Sequence, residues 1–323
     1  MGISSAASRI EMEDRPCPLG CDAGDEALFV GRERLFNKPG KFQVVKCCTC
    51  GLIRTNPRPT NSAMSLYYPD GYGPYRIGRL GPYWPEPWWQ RSAIRTLNLE
   101  RLPAIPPGRL LEFGCGSGWF LQRMAGHGWE VEGIEISPTA GRAAQALGFS
   151  VHIGAVEDVP APSQPYDLVV GWMVLEHLYD PLKALVRLLE WTRPGGWLVL
   201  SVPDAASLGF RLFRNAWYDL DLPRHLFHFT VPTLRRVLDA SGWQMERVLY
   251  QRSVNNLVAS LGCKLQDTRA GERFPRLTNA LLRFPYNARL RYLTYPLGLF
   301  PLGFLLALFG QTGRVTVWAT GRR

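Results

Sequence analysis

A chain of 323 residues, 46% apolar and 20% charged, has room for one large domain plus an appendage and enough apolar residues to bury a core. Its formal charge of +10 invites a nucleic-acid surface, but the excess is local. Arg252 to Arg323 carries 11 Lys/Arg against two acids, Asp267 and Glu272, a net of +9, so the middle of the chain is close to neutral and a general nucleic-acid surface is disfavoured.

The first sixteen residues contain no apolar run like that of a secretory leader, and Ala6 breaks the N-myristoylation pattern. Five of the seven cysteines precede residue 51. A secreted disulfide framework would spread them through a smaller chain, so the cytoplasm is the expected compartment. Cys17 and Cys21 flank Pro-Leu-Gly, and Cys47 and Cys50 form a CxxC pair before Gly51. Two such pairs a hairpin apart can set four thiolates around Zn2+, and fifty residues need that help because they build little core. Residues 1–60 are therefore expected as a zinc-ribbon-like unit, with Cys48 a competing donor and reduced, half-buried thiols the alternative. No His or carboxylate is placed to leave an open position, which makes the expected zinc structural. Tyr67, Tyr68, Tyr72 and Tyr75 follow in a short aromatic stretch that could simply pack between this unit and the rest.

From Arg109 the pattern alternates strand and helix. Arg109–Phe113 reads as a buried strand, Gly114–Gly118 as a tight loop and Trp119–His127 as a helix. Trp119 stands where a dinucleotide fingerprint needs Gly, and no Gly-Lys-Ser/Thr follows, so the glycine loop is neither of the common phosphate binders. What remains is ExGxGxG, running from Glu112 to Gly118. The next strand, from Trp129, ends at Glu135, where an acid at the tip of a second strand faces a ribose. Helix Pro138–Leu147, a strand near Val151, the turn Gly154–Asp158, strand Tyr166–Gly171, helix Pro181–Trp191, a turn at Arg193–Gly196 and strand Trp197–Val202 complete the series. The expected fold class is α/β, a doubly wound Rossmann-like sheet covered on both faces.

With Val174-Leu-Glu-His-Leu-Tyr-Asp-Pro181 and Arg193-Pro-Gly-Gly196 added to the glycine loop, residues 107–250 resemble the class I S-adenosylmethionine-dependent methyltransferases. The resemblance implies that Glu112, Gly114, Cys115, Gly116 and Gly118 hold the methionine part of the cofactor, that Glu135 and Ile136 meet the ribose side, and that Val156, Glu157 and Asp158 meet the adenine. Ala155 departs from the acid that many relatives carry there. It makes residues 61–106 a lid or acceptor-side segment, with Tyr72 and Tyr75 as candidate acceptor contacts, and the domain proper 107–323. The group includes sugar methyltransferases with a similar cysteine-bearing N-terminus, which favours a glycosyl acceptor.

His177 lies just beyond the fourth strand, at the edge where open sheets bind ligands, and His225 lies in the loop Asp221–His228. Either suits a base for a hydroxyl or an activated carbon, and either could instead be structural. Arg224 is the candidate clamp for an anionic acceptor. Gly171-Trp-Met-Val replaces the Asn/Asp-Pro-Pro-Tyr/Phe expected for methylation of an exocyclic base amine.

Between Arg291 and Arg314 stand 22 uncharged residues, long enough to span a bilayer but broken by Pro296, Pro301 and several glycines. The resemblance implies a sheet that finishes with a strand, for which Arg314–Thr320 is the candidate, and its return beside strand Gln244–Tyr250 would be forbidden by one full crossing. The insertion, about residues 252–313, is therefore expected to place an apolar helical hairpin in a membrane interface, with Arg283, Arg289, Arg291 and Arg314 meeting anionic headgroups, the alternative being a hairpin packed on the core or in a dimer interface. The expected activity is methyl transfer to a small-molecule, sugar or lipid-linked glycan acceptor at the cytoplasmic membrane face. The alternatives are an RNA methyltransferase using the zinc unit and basic tail, and a cofactor-binding scaffold without catalysis.

Overall fold

The computed structural model describes residues 10–69, 92, 95, 100–286 and 299–322. Its strands, in chain order, are β1 (Met12–Glu13), β2 (Asp25–Arg32), β3 (Lys41–Cys47), β4 (Ile53–Thr55), β5 (Arg58–Pro59), β6 (Arg109–Phe113), β7 (Glu130–Glu135), β8 (Ser150–Ile153), β9 (Tyr166–Trp172), β10 (Thr192–Pro203), β11 (Phe227–His228), β12 (Trp243–Tyr250) and β13 (Arg314–Gly321). Seven of them form one sheet in the order β12-β13-β10-β9-β6-β7-β8. Strands β6 to β10 pair in parallel, and β13 runs antiparallel between β10 and β12.

This is the doubly wound sheet that the alternation implies. Leu110, Leu111, Phe113, Leu168, Val169 and Val170 are all essentially inaccessible, as strands covered on both faces must be. Helix Pro181–Glu190 buries Pro181, Ala184, Leu185 and Leu188, one stripe at helical spacing, and starts on an Asp180 side chain that accepts from the Lys183 N–H. Helix Val231–Ala240 starts on a capping box between Thr230 and Thr233. The expected turn at Arg193–Gly196 is instead part of β10. Its register against β9 jumps between Thr192 and Trp197, so the glycines form a bulge, with Gly195 at φ 77°.

The cysteine-bearing segment does not close on itself. A second sheet runs β11-β4-β3-β2, so a strand from beyond residue 220 completes the N-terminal hairpin, Phe227 opposite Arg54 and His228 opposite Ile53. Phe42, Val44, Leu52 and Ile53 share one buried cluster with Leu226, Phe227 and Phe229. The shortage of core in the first sixty residues is met by borrowing it, and the sheet crosses the boundary expected at residue 60.

The insertion is more divided than a hairpin. Its described helices are Asn255–Leu265, Arg269–Arg273, Pro275–Leu282 and Phe300–Leu308, while residues 287–298, with Arg289 and Arg291, lie outside the described part. Asp267 receives Arg32 and Arg34 from the N-terminal unit, and Ala259 and Cys263 pack on Ala216 and Tyr218. Among the described residues no helix is long and apolar enough to cross a membrane. On the final helix Leu305, Leu308 and Phe309 stand 52%, 66% and 71% exposed.

Candidate active site

The carboxyl ends of β6, β7 and β9 converge on one edge. Gly114, Gly116 and Gly118 all take positive φ, 71°, 55° and 84°, which side chains adopt at a cost. Space matters as much as strain at Gly114: a Cβ there would lie 2.3 Å from Val174 Cγ2, so the loops after β6 and β9 touch backbone to side chain. Gly116 N–H donates to Glu135 Oε2 and Ser137 N–H to Glu135 Oε1, both at 2.8 Å. The Glu135 carboxylate thus faces the glycine loop, and burial pushes its pKa up against these backbone donors. Each oxygen keeps a lone pair for a further donor.

Glu112 is 4% exposed, and its Oε2 has no hydrogen-bond partner among the described residues. Burial, then Glu100 and Glu135, push its carboxyl well above the usual range. A buried acceptor left open beside a second carboxylate calls for a cation, and the ammonium of a methionine moiety is one. Cys115 is buried under the loop, so close to β7 that a Cβ on Gly133 would meet its Sγ at 2.6 Å. Ile136, by contrast, is 59% exposed just past Glu135, an apolar side chain free to cover a flat ring. Val156 is in the buried core, Glu157 is half-buried and Asp158 exposed, so of the three adenine-side residues Val156 offers mainly its backbone. The residues present therefore fit S-adenosylmethionine: open buried acceptors for its ammonium and ribose, and a loop that lets a ligand approach the backbone.

On the β9 side, His177 and His225 meet edge to face with ring centroids 4.6 Å apart. Asp219 O lies 2.7 Å from His225 Nδ1 and can only accept, so Nδ1 carries the hydrogen and Nε2 the lone pair. His177 Nδ1 faces Arg224 O at 3.1 Å and Tyr68 Oη at 3.0 Å. Burial holds both imidazoles neutral, His177 at about 4 and His225 well below its ordinary value. His225 is 5% exposed and His177 is half-buried, so His177 is the more accessible of the two.

Arg224 does not serve as the expected acceptor clamp. It is 0% exposed, and its guanidinium is committed to Glu33 Oε1 at 2.8 Å, to Asp221 and to Tyr67 O at 2.9 Å. It bolts the His225 loop to the N-terminal unit, a role that a motif with no tertiary partners in view could not suggest. Thr55 assists by donating to His225 O at 2.8 Å. Asp219 is fixed in turn by Arg314 on β13 and Asn256 on helix Asn255–Leu265. Tyr72 and Tyr75 lie outside the described residues. The sequence reading passed over Glu176, which is fully buried beside both histidines; the visible signal was a carboxylate inside the apolar run Val174–Leu178. Among the described residues the tyrosine that contacts His177 is Tyr68, which was not one of the two expected at the acceptor.

Sγ atoms of Cys17, Cys21, Cys47 and Cys50 all lie within 4.8 Å of one another, and none is in a disulfide. Tetrahedral thiolates on Zn2+, with bonds of about 2.3 Å, would sit roughly 3.8 Å apart; Cys17 and Cys50 are at 3.5 Å. Cys48 is exposed and outside the cluster. The set is compatible with zinc, and the purified chain is expected to hold about one Zn2+ that a Cys47→Ser change reduces at least tenfold in affinity. Chelation should then speed amide exchange across β3 and β4; stoichiometric zinc in the Ser variant would defeat the assignment.

A methyltransferase-domain family model matches residues 89–248. The chain is 30% identical over 213 residues to the malonyl-[acyl-carrier protein] O-methyltransferase of Serratia marcescens, covering 62% of this chain and 80% of that one. It is 30% identical over 230 residues to the tRNA U34 carboxymethyltransferase of Marinobacter nauticus, covering 58% of this chain and 64% of that enzyme. Identity to the ubiquinone biosynthesis O-methyltransferase of Xanthomonas campestris is 32% over 143 residues, 39% of this chain and 59% of that one. The match thus falls short of two thirds of the latter two enzymes. A solved S-adenosylmethionine-dependent methyltransferase from Mesorhizobium loti aligns over 71% of this chain and 96% of its own, at 19% identity and a TM-score of 0.44. The sheet order, the glycine loop facing a strand-tip acid and these relatives define a class, and this chain belongs to the class I S-adenosylmethionine-dependent methyltransferases.

Proposed function

We propose that the protein methylates a hydroxyl-bearing small molecule, sugar or lipid-linked glycan at the inner face of a membrane. The observation that carries the acceptor side is the histidine pair, His177 and His225, set beside the cofactor edge with Tyr68 in contact. S-adenosylmethionine supplies an electrophilic methyl whose bond electrons return to sulfur, so rate depends largely on how the acceptor is positioned. The chain's share is to orient the acceptor oxygen at that pair, where its proton is lost as the methyl arrives. Incubating the full chain with labelled donor and an extract of membrane lipids and sugar nucleotides should label an alkali-stable, chemically identifiable acceptor. Label confined to RNA would favour the tRNA-modifying relatives' type of substrate instead.

The membrane part of the proposal rests on the exposed apolar end of helix Phe300–Leu308, with Leu212, at 63% exposure, on helix Leu208–Phe213, whose Leu208 N–H donates to Gln311 O. Arg252, Arg269, Arg273, Arg276 and Arg283 belong to the same insertion and bring the charge that anionic headgroups attract. In flotation with anionic vesicles, deletion of residues 292–311 or the paired change Leu308→Asp and Phe309→Asp is expected to reduce bound protein by about tenfold or more. Unchanged partitioning would remove the membrane from the proposal and leave methyl transfer standing.

A further inference from the structure

Glu176, His177 and His225 place their ligand-type atoms within 4.8 Å of one another. Glu176 is 0% exposed, and neither of its carboxylate oxygens has a hydrogen-bond partner among the described residues. Its Oε1 stands 3.9 Å from His225 Nε2, too far for a hydrogen bond. That Nε2 bears the lone pair, because Nδ1 is committed to Asp219 O. Asp221 Oδ2 lies 3.8 Å from the same nitrogen, its carboxylate already bridged to Arg224. Carboxylate and imidazole acceptors thus face one another across a small gap, an arrangement that costs energy unless a proton or a cation sits in it, and burial already pushes the Glu176 carboxyl up to about 8.

We infer that Glu176, His177 and His225 form a divalent-cation site on the acceptor side of the cofactor pocket. Two imidazoles and one carboxylate suit Zn2+, Mn2+ or Fe2+ and are a poor set for Mg2+ or Ca2+, which take oxygen. Two ligands with bonds of about 2.1 Å in tetrahedral array lie roughly 3.4 Å apart. The 3.9 Å gap between Glu176 and His225 therefore closes by about half an ångström. His225 is anchored through Nδ1 to a backbone carbonyl, the outer contact that metal-bound histidines characteristically make. That carbonyl belongs to Asp219, which Arg314 and Asn256 hold from two other elements. The donor set differs from the four thiols of the N-terminal cluster, which select soft cations.

Three protein ligands leave open positions, and an acceptor hydroxyl is the ligand that the proposed reaction would bring there. In that use, which rests on the proposed methyl transfer, the histidines act as ligands and not as bases. The cation acidifies the bound hydroxyl, whose proton passes to water. Binding of the cation itself does not depend on that reading.

Mn2+ is the discriminating probe, since it has little affinity for a four-thiolate site. Titration of the full chain reconstituted with a single equivalent of Zn2+, which the four thiolates take first, followed by the electron paramagnetic resonance of free Mn2+, should show one bound Mn2+ per chain. Glu176→Gln, nearly isosteric, and His225→Gln should each weaken it by at least tenfold, while zinc content and S-adenosylhomocysteine binding stay as in the unaltered chain and report an intact fold. No Mn2+ uptake by the unaltered chain, or equal uptake by both variants, overturns the site. Methyl transfer that persists at full rate in a metal-free chain would overturn the use of the cation while sparing the proposed activity.

Discussion

Changing Glu135 to Ala is expected to raise the dissociation constant for S-adenosylhomocysteine by roughly 100- to 10,000-fold, read by calorimetry. The carboxylate is turned toward the glycine loop by two backbone N–H groups, and each oxygen retains a lone pair for one ribose hydroxyl. Hydrogen bonds to a charged acceptor contribute about 1.5–3 kcal/mol each. Loss of two is therefore worth about 3–6 kcal/mol, or roughly two to four decades of affinity. Glu135→Gln keeps an acceptor oxygen and should fall between the two, near a tenfold loss. Since the variant also removes the partner of Gly116 N–H, thermal unfolding should be followed alongside. A near-native melting temperature with unchanged affinity would show that the ribose does not bind here.

Arg224→Met should lower the unfolding free energy by about 3–5 kcal/mol, the usual result of removing one member of a buried ionic group. Arg224 is completely buried, and Glu33 and Asp221 both depend on it. Their dependence is unequal. Glu33 also accepts from the backbone N–H groups of Leu35, Phe36 and Lys38. Burial alone would raise the Asp221 pKa, but Arg224 outweighs it and holds the carboxyl at about 2. Without the arginine, Asp221 is a half-buried charge, 11% exposed at its side chain, beside His225. Arg224→Lys restores the charge but not the fork that reaches Glu33, Asp221 and Tyr67 O together, so its rescue should be partial. A urea midpoint displaced by less than the equivalent of about 1 kcal/mol would show that the loop is held by other contacts.

Both predictions concern residues visible in the sequence, but only for Glu135 was the structural setting legible there. Glu135 could be placed because strand, glycine loop and acid occur in one local stretch, and a parallel βαβ unit has essentially one way to bring them together. Arg224 was misassigned because Glu33 lies 191 positions away and nothing local tells a buried ion pair from a ligand clamp. The Cys17, Cys21, Cys47 and Cys50 grouping was legible from spacing, while the exclusion of Cys48 needed the path of the chain. Glu176 sat in a motif that was quoted as a family mark, and its burial without a hydrogen-bond partner among the described residues emerges only in three dimensions.

Hydrophobic periodicity and turn chemistry were enough to specify the alternating strands and helices, because these depend on contacts repeated every few residues, while the cofactor edge and the return of Arg314–Gly321 as the last strand followed from the resemblance. Packing across long sequence separations decided the rest. It drew Phe227–His228 into the N-terminal sheet, buried Arg224, and gathered Tyr68, Glu176, His177 and His225 at one edge. Side chains brought together from four separate segments leave no period or spacing to read, so their chemistry becomes visible only once the chain has closed around them.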